Sequence, residues 1–276
     1  IPFVSESLRL ELNRRNIVIH VLLSSDLTVE RDTNHRLQRM LPATVTADGV
    51  CRRREALVYM EISRVGDPVA RAELVGVLAG VVAEVACVVG DFPAMRESAL
   101  ELIERLPGCS TGVAEEQWQE NRALLQWLLA HNFTFLGHEV LDVTWGAAGP
   151  RVEVRAGSAL GLLCTRRTPG ADFLAQDLAG SGPQALRERS QVLFFKSTQR
   201  SRVHRSAHPD YVTISCHDAA GRVVEQHNFL GLFAAVVYTM DPEEIPIVRR
   251  KVARLIAWAR PDASSHRERT LRRVLG

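Results

Sequence analysis

Lysine is almost missing from this chain: of its 34 basic residues only Lys196 and Lys251 are lysines, and the other 32 are arginines. A GC-rich genome accounts for such a bias, so a cluster of arginines carries less meaning here than it would elsewhere. Charge of one sign is missing too. The formal net charge of +2 balances 34 basic against 32 acidic residues, which excludes a nucleic-acid or anionic-membrane partner held by bulk charge. Cysteine is scarce and scattered at Cys51, Cys87, Cys109, Cys164 and Cys216. With no CxxC pair, zinc-ribbon and thioredoxin-like readings fail, and a reduced, cytoplasmic location is expected. Aromatics make up only 6% of the residues. Phe194, Phe195 and Tyr211 sit inside strand patterns rather than interleaving with cations, against a nucleic-acid platform. The most apolar run, 74–89, carries Glu84 and falls short of the ~20 residues that cross a bilayer, so no membrane span is expected. No charged segment precedes an apolar one in the manner of a signal peptide.

What is present is a chain of 276 residues, 46% hydrophobic and 24% charged, long enough for two domains with their own cores. It starts without a methionine and ends without a tapering tail, so both ends are expected to be cut from a longer polypeptide. Residues 5–14 read as a helix with Val4, Leu8 and Leu12 on one face and Ser5 as its cap. The β-branched run 17–23 reads as a buried strand continuing towards 27–30. Residues 31–55 form an excursion or hairpin, and 56–63 a strand. Asp67-Pro68 opens a helix over 68–89 as N-cap and first-turn proline. Pro93 is expected to turn the chain into a separate helix over 91–105. This α-β-β-α order lacks only an earlier strand of a ferredoxin-like βαββαβ unit. Pro107-Gly108 marks a boundary, followed by a connecting helix near 114–130. Strands follow at 133–145, 151–155, 192–196, 211–217 and 223–230, the last two joined by a hairpin turn with Gly221 at positive φ. Short helices are expected at 171–178 and 183–189, and a main helix from Pro246 to Trp258. Residues 233–238 fit either a strand extension or a helix start. The resulting fold class is α+β: two ferredoxin-like modules, 1–107 and 132–262, joined by a helical linker at 108–131, with 263–276 leading to whatever follows.

The stretch 193–212 is the richest in chemistry. An apolar strand runs into Lys196, Ser197, Arg200, Ser201, Arg202, His204 and Arg205, and a second strand begins near Asp210 and Tyr211. Cations and hydroxyls between two strands suit a carboxylate ligand, a subunit contact or a salt-bridged turn. Phe3 and Ser5, at a helix start, form a second candidate, because free N–H groups there accept a carboxylate. Three sharper readings fail on context. Gly180–Ala185 matches GxGxxA, but no apolar strand precedes it and Pro183 interrupts it. His204 and His208 have ligand spacing only on a helix, which Pro209 opposes. Ser201, His204 and Asp210 supply a nucleophilic triad by residue type without a nucleophile elbow. The alternatives are a stand-alone amino-acid-sensing or purely structural assembly module and, more weakly, a small hydrolase.

Several blocks in order carry a family resemblance. Residues 1–12, Ile-Pro-Phe-Val-Ser-Glu-Ser-Leu-Arg-Leu-Glu-Leu, resemble the Met-Pro-Phe-Leu-Val-Asp-Ser-Val segment of large bacterial NAD-specific glutamate dehydrogenases. So do Phe133–Gly137, Gly157–Leu163, Lys196–Arg205 with Asp210-Tyr211, Phe229–Phe233, and Glu244-Ile245-Pro246 with Arg249–Val252. Glu6 departs from the usual aspartate and His138 from a common tyrosine. The resemblance implies the N-terminal, non-catalytic region of such an enzyme, with two ACT-like modules of ferredoxin-like form. It implies an oxidoreductase parent that deaminates L-glutamate with NAD bound in a later domain, and no cofactor or catalytic residue in this region. It further implies self-association, contact with downstream domains, and an amino-acid effector. The candidate effector or interface residues are then Lys196, Ser197, Arg200, Ser201, His204, Arg205, Asp210, Tyr211, Phe3 and Ser5.

Overall fold

A computed structural model describes residues 2–42, 52–109, 113–146, 149–165 and 192–258. The short helices expected at 171–178 and 183–189, the GxGxxA match and the segment 263–276 lie outside them. The chain divides into two compact units. One comprises Ile1–Gly90 and Gln199–Ala207, the other Asp91–Thr198 and His208–Gly276. The division falls earlier than the break expected at residue 107, and it takes part of the 193–212 stretch into the first unit.

In the first unit, α1 (Val4–Arg14) buries Ser7, Glu11 and Leu12. Ser5 is not its cap. Phe3 occupies the cap position at φ 70° with no side-chain hydrogen bond, and the Ser5 hydroxyl instead donates to Glu6. Strand β1 (Ile19–Arg31) pairs antiparallel with β3 (Arg52–Ile62) from Ile19↔Ile62 to Glu30↔Arg52. The excursion at 31–55 proves to contain a hairpin: β2 (Leu37–Leu41) folds back on the end of β1, giving the order β2-β1-β3. Asp32 fixes that turn by accepting from the amides of Asn34 and Arg36.

Helix α2 (Pro68–Arg105) begins as expected, with the Asp67 carboxylate accepting from the Val69 and Ala70 amides. It does not stop at residue 89. Pro93 lies inside one continuous helix of 38 residues. Proline removes a single N–H and crowds one carbonyl, and the apolar positions on both sides keep the same helical phase. Within the first unit Leu74, Val81, Val85 and Val88 are buried at three- and four-residue spacing, while Val69, Val75 and Val82 are exposed. Its apolar window has a mean hydropathy of 2.2 and is long enough to cross a membrane by length and composition. Only 22% of that window is buried, so the run 74–89 understated the helix.

In the second unit, α3 (Glu115–Trp127) forms where a connecting helix is expected but packs Leu124 and Leu125 into that unit's own core, and His131, at φ 66°, ends the helical turn that follows it. A six-stranded antiparallel sheet follows. It comprises β4 (Phe133–Gly146), β5 (Gly149–Val154), β6 (Leu160–Gly161), β7 (Val192–Lys196), β8 (Asp210–His217) and β9 (Val223–Phe233). Its main order is β5-β4-β9-β8-β7, with β6 also pairing β4. Gly221 takes φ 74° in the β8–β9 turn, where Asp218 accepts from the amides of Ala220 and Arg222. The ambiguity at 233–238 resolves into both forms: β9 runs to Phe233, then a short tight helical turn spans Ala235–Thr239. A four-residue helix, α4 (Leu162–Thr165), follows β6, and α5 (Val248–Trp258) is the expected last helix. Register pairs Val212, Phe229 and His138 on one face, and Thr213, Asn228 and Glu139 on the other. The core unites Met95, Leu102, Leu106, Leu124, Leu125 and Leu128 from the helices with Val212, Ile214 and Phe229 from the sheet. The architecture is α+β.

Candidate functional site

The ten candidate residues are divided between the two units. Phe3, Ser5, Arg200, Ser201, His204 and Arg205 belong to the first unit, whereas Lys196, Ser197, Asp210 and Tyr211 belong to the second.

In the first unit the loop 199–207 folds against helix α1. The His204 amide donates to Ser7 Oγ at 3.0 Å, and the Phe3 and His204 rings meet with centroids 4.7 Å apart. Both aromatic residues sit at positive φ, 70° and 69°, a region that L-residues seldom adopt. Burial, reinforced by the Arg205 charge and opposed by Glu6, lowers the His204 pKa, so its ring is neutral at physiological pH. Ser201 closes the loop on itself: its hydroxyl donates to the Val203 carbonyl at 2.8 Å and accepts from the Val203 amide at 3.1 Å. The Arg200 guanidinium donates to the Ser206 carbonyl. Arg202 engages Glu84 of α2 through both Nε and Nη2. Glu11, almost fully buried, accepts from Arg14 and Arg15. Burial pushes its carboxyl up, but the two arginine hydrogen bonds outweigh that and hold it below its ordinary value.

In the second unit Lys196 and Asp210 face each other across β7 and β8, with the ammonium 2.8 Å from the carboxylate. The Ser197 amide donates to the Pro209 carbonyl, and His208 Nδ1 lies 2.9 Å from the Ser197 carbonyl oxygen. Tyr211 is a core residue at 1% exposure. Lys196 and Arg202, the cations most apt to hold an anion, are thus already neutralised by Asp210 and Glu84. Ser201 and His204 lie in one unit and Asp210 in the other.

Two grooves are lined by other residues. One of about 690 Å³ in the first unit is bordered by Arg9, Asn13, Asn16, Val18, His20 and Leu22. One of about 210 Å³ in the second involves Gln117, Asn121, Phe194, Arg250, Lys251 and Arg254. Neither contains any of the ten.

Two groups of residues were missed by reading the sequence. Ser7 and Glu84 hold the first-unit loop and Glu11 the end of α1, and Ser7 and Glu11 could have been found on the Val4–Leu8 face of α1 at helical spacing. In the second unit Glu225 accepts from Arg105 at 2.8 Å and Arg155 at 2.6 Å, and meets His227 Nε2 at 2.8 Å. His227 Nδ1 in turn lies 3.3 Å from His138 Nε2. The His227 bond, partly opposed by burial and aided by Arg155, keeps the Glu225 carboxyl far below the usual range. Burial, with a small push from His227, lowers His138 to about 3. The alternation Glu225-x-His227 on β9 was the available signal.

The two antiparallel sheets with their covering helices define an α+β protein. Residues 1–78 match the family model described as the ACT1 domain of glutamate dehydrogenase. Along 275 residues the chain is 34% identical to an "NAD-specific glutamate dehydrogenase" of Halomonas elongata, covering 99% of this chain and 17% of that protein. It is 36% identical over 277 residues to one of Pseudomonas aeruginosa, again covering 17% of the relative. A Mycobacterium tuberculosis protein of the same name is 26% identical over 261 residues, 94% of this chain and 15% of that protein. The resemblance therefore extends along the whole chain, to the N-terminal region of large NAD-specific glutamate dehydrogenases, and the chain spans about a sixth of the length of these relatives.

Proposed function

We propose that this chain is the regulatory and assembly region at the N-terminus of a cytoplasmic NAD-specific glutamate dehydrogenase. Its two units act as ACT-like, ferredoxin-like modules connected through a helical segment. The parent converts L-glutamate, NAD and water to 2-oxoglutarate, ammonia and NADH, with catalysis and NAD binding in the remaining polypeptide. Gly161, the strand-to-helix glycine of the second unit, does not fit a dinucleotide cradle. A Cβ there would meet the Leu136 carbonyl at 2.4 Å and Met95 at 2.6 Å, so protein atoms fill the space a phosphate would need.

The observation that carries the reading is the ACT1 match over residues 1–78, which covers α1, β1, β2, β3 and the start of α2. Assembly is favoured by the exposed apolar residues of that same segment: Leu23, Leu57, Tyr59 and Met40 on the sheet, and Val69 and Val75 on α2. The partners are a second copy and the downstream domains. An amino-acid effector acts only through different affinities for two states of the parent.

The test is sedimentation of the natural-length protein beside a Leu23→Glu/Leu57→Glu variant, with glutamate-dependent NAD reduction followed in both. An oligomer that the double variant dissociates supports the reading. An oligomer unchanged by it, or a wild-type monomer at micromolar concentration, sinks the assembly role. Titration calorimetry with a panel of amino acids addresses the effector: absence of heat with all of them leaves an assembly region without a ligand.

A further inference from the structure

We propose that Cys109 and Cys216 form a reversible, peroxide-responsive disulfide that staples the end of helix α2 to the sheet of the second unit. Cys109 follows the last turn of α2, where the amides of Gly108 and Cys109 both donate to the Arg105 carbonyl. Cys216 lies on β8, opposite Glu225 in register, and is 2% exposed. The two sulfurs, 107 residues apart in sequence, are 2.7 Å apart, against a bonded length of about 2.05 Å. Only a small approach separates thiol pair from bond. The backbone already holds the partners together, because the His217 amide donates to the Cys109 carbonyl at 2.9 Å.

The surroundings assign the two sulfurs different parts. Cys109 is half-buried and therefore reachable, while Cys216 is enclosed. Hydrogen bonding from Cys216 and the nearby Arg105 guanidinium favour the Cys109 thiolate against burial, and the same bond with burial keeps Cys216 protonated. Glu225 opposes thiolate formation but is itself paired with Arg105 at 2.8 Å. A thiolate beside a cation is the attacking sulfur, and a neighbouring thiol resolves it.

The oxidant is hydrogen peroxide. The Cys109 thiolate attacks one peroxide oxygen and the O–O bond breaks, leaving a sulfenic acid and releasing hydroxide. The Cys216 sulfur then attacks the sulfenic sulfur. The S–S bond forms, the S–O bond breaks, and water leaves with the Cys216 proton. Two thiols lose two electrons and the peroxide gains them. A dithiol reductant returns the pair to its starting state.

The natural-length protein is treated with hydrogen peroxide, its remaining thiols are alkylated, and its peptides are mapped by mass spectrometry. The expected result is a Cys109–Cys216 cross-linked peptide that dithiothreitol dissolves, with Cys51, Cys87 and Cys164 still alkylated. Cys216→Ser traps Cys109 as a sulfenic acid that dimedone labels, and Cys109→Ser abolishes both products. Oxidised wild type melts at a higher temperature than reduced, a shift absent in either variant. Alkylation of both Cys109 and Cys216 under conditions that oxidise the exposed Cys164 overturns the proposal. So does cross-linking to Cys164 or Cys87 instead. The wild-type map decides even if a variant fails to fold.

Discussion

The two sheets differ in how they treat water. In the second unit every residue of β8 is buried and β9 is buried at nine of its first ten positions. In the first unit β1 buries only Thr28 and Val29, β3 has no buried position, and apolar Leu23, Leu57 and Tyr59 are more than half exposed. Both sheets are antiparallel, so strand direction does not separate them. The difference lies in what each sheet is packed against. Helical residues from Met95 to Leu106 and from Leu124 to Leu128 cover one face of the second sheet, whereas the first unit leaves apolar surface in contact with solvent. A largely buried sheet and one with exposed apolar residues can therefore share one chain and one class of secondary structure.

The largest test of that contrast is Phe229→Ala. Phe229 is fully buried between Phe135 and His138, and truncating such a ring costs about 3–5 kcal/mol. Urea unfolding should show the loss; a change as small as that of an exposed residue would erase the distinction between the units. Gly231→Ala comes next. A Cβ there would meet the Thr134 carbonyl at 2.3 Å and the Phe133 ring at 2.4 Å, and forced overpacking of this kind costs about 1–3 kcal/mol. The same measurement reads it.

The third prediction concerns acid. His138 is held near a pKa of 3 by burial and the neighbouring His227, below the value of about 6.5 for an unfolded histidine. Between those values the unfolded chain binds the extra proton. The contribution of a neutral His138 is full above pH 6.5 and is lost as pH falls towards 3. Stability followed against pH should decline over that window in the wild type and decline less steeply in His138→Phe. Equal slopes would show that the buried histidine does not govern the acid limb. Glu225, held below the ordinary carboxylate range, acts at lower pH, where its contribution fades below about 4.3. The smallest effect belongs to the first sheet. Leu57→Ser at an exposed position should change stability by no more than about 0.5 kcal/mol, while weakening self-association if that face is an interface. A loss like that of Phe229→Ala would mean the surface is covered within the monomer.

Much of the framework was legible from local pattern. The strands around 19–23, 56–62, 133–145, 211–217 and 223–230 follow β-branched runs or alternation, and Asp67-Pro68 and Asp218 with Gly221 mark their turns. The errors were equally local in origin. Pro93 suggested a break because proline opposes helix, yet the apolar phase on either side kept α2 whole. Ser5 looked like a cap by type, but Phe3 took that position with its ring against His204. The candidate block 196–211 is contiguous in sequence. The structure divides it between two units, and its two leading cations are occupied by Glu84 and Asp210.

By itself the sequence determined the kinds of elements, most of their limits, the α+β class and the resemblance to glutamate dehydrogenases, because periodicity, turn chemistry and motif order are properties of neighbouring residues. Tertiary structure alone decided which distant groups meet: His204 with Ser7 across 197 residues, Arg202 with Glu84 across 118, and Cys109 with Cys216 across 107. Such encounters follow from the summed burial of whole helices and strands. No residue pattern at either end encodes the partner at the other.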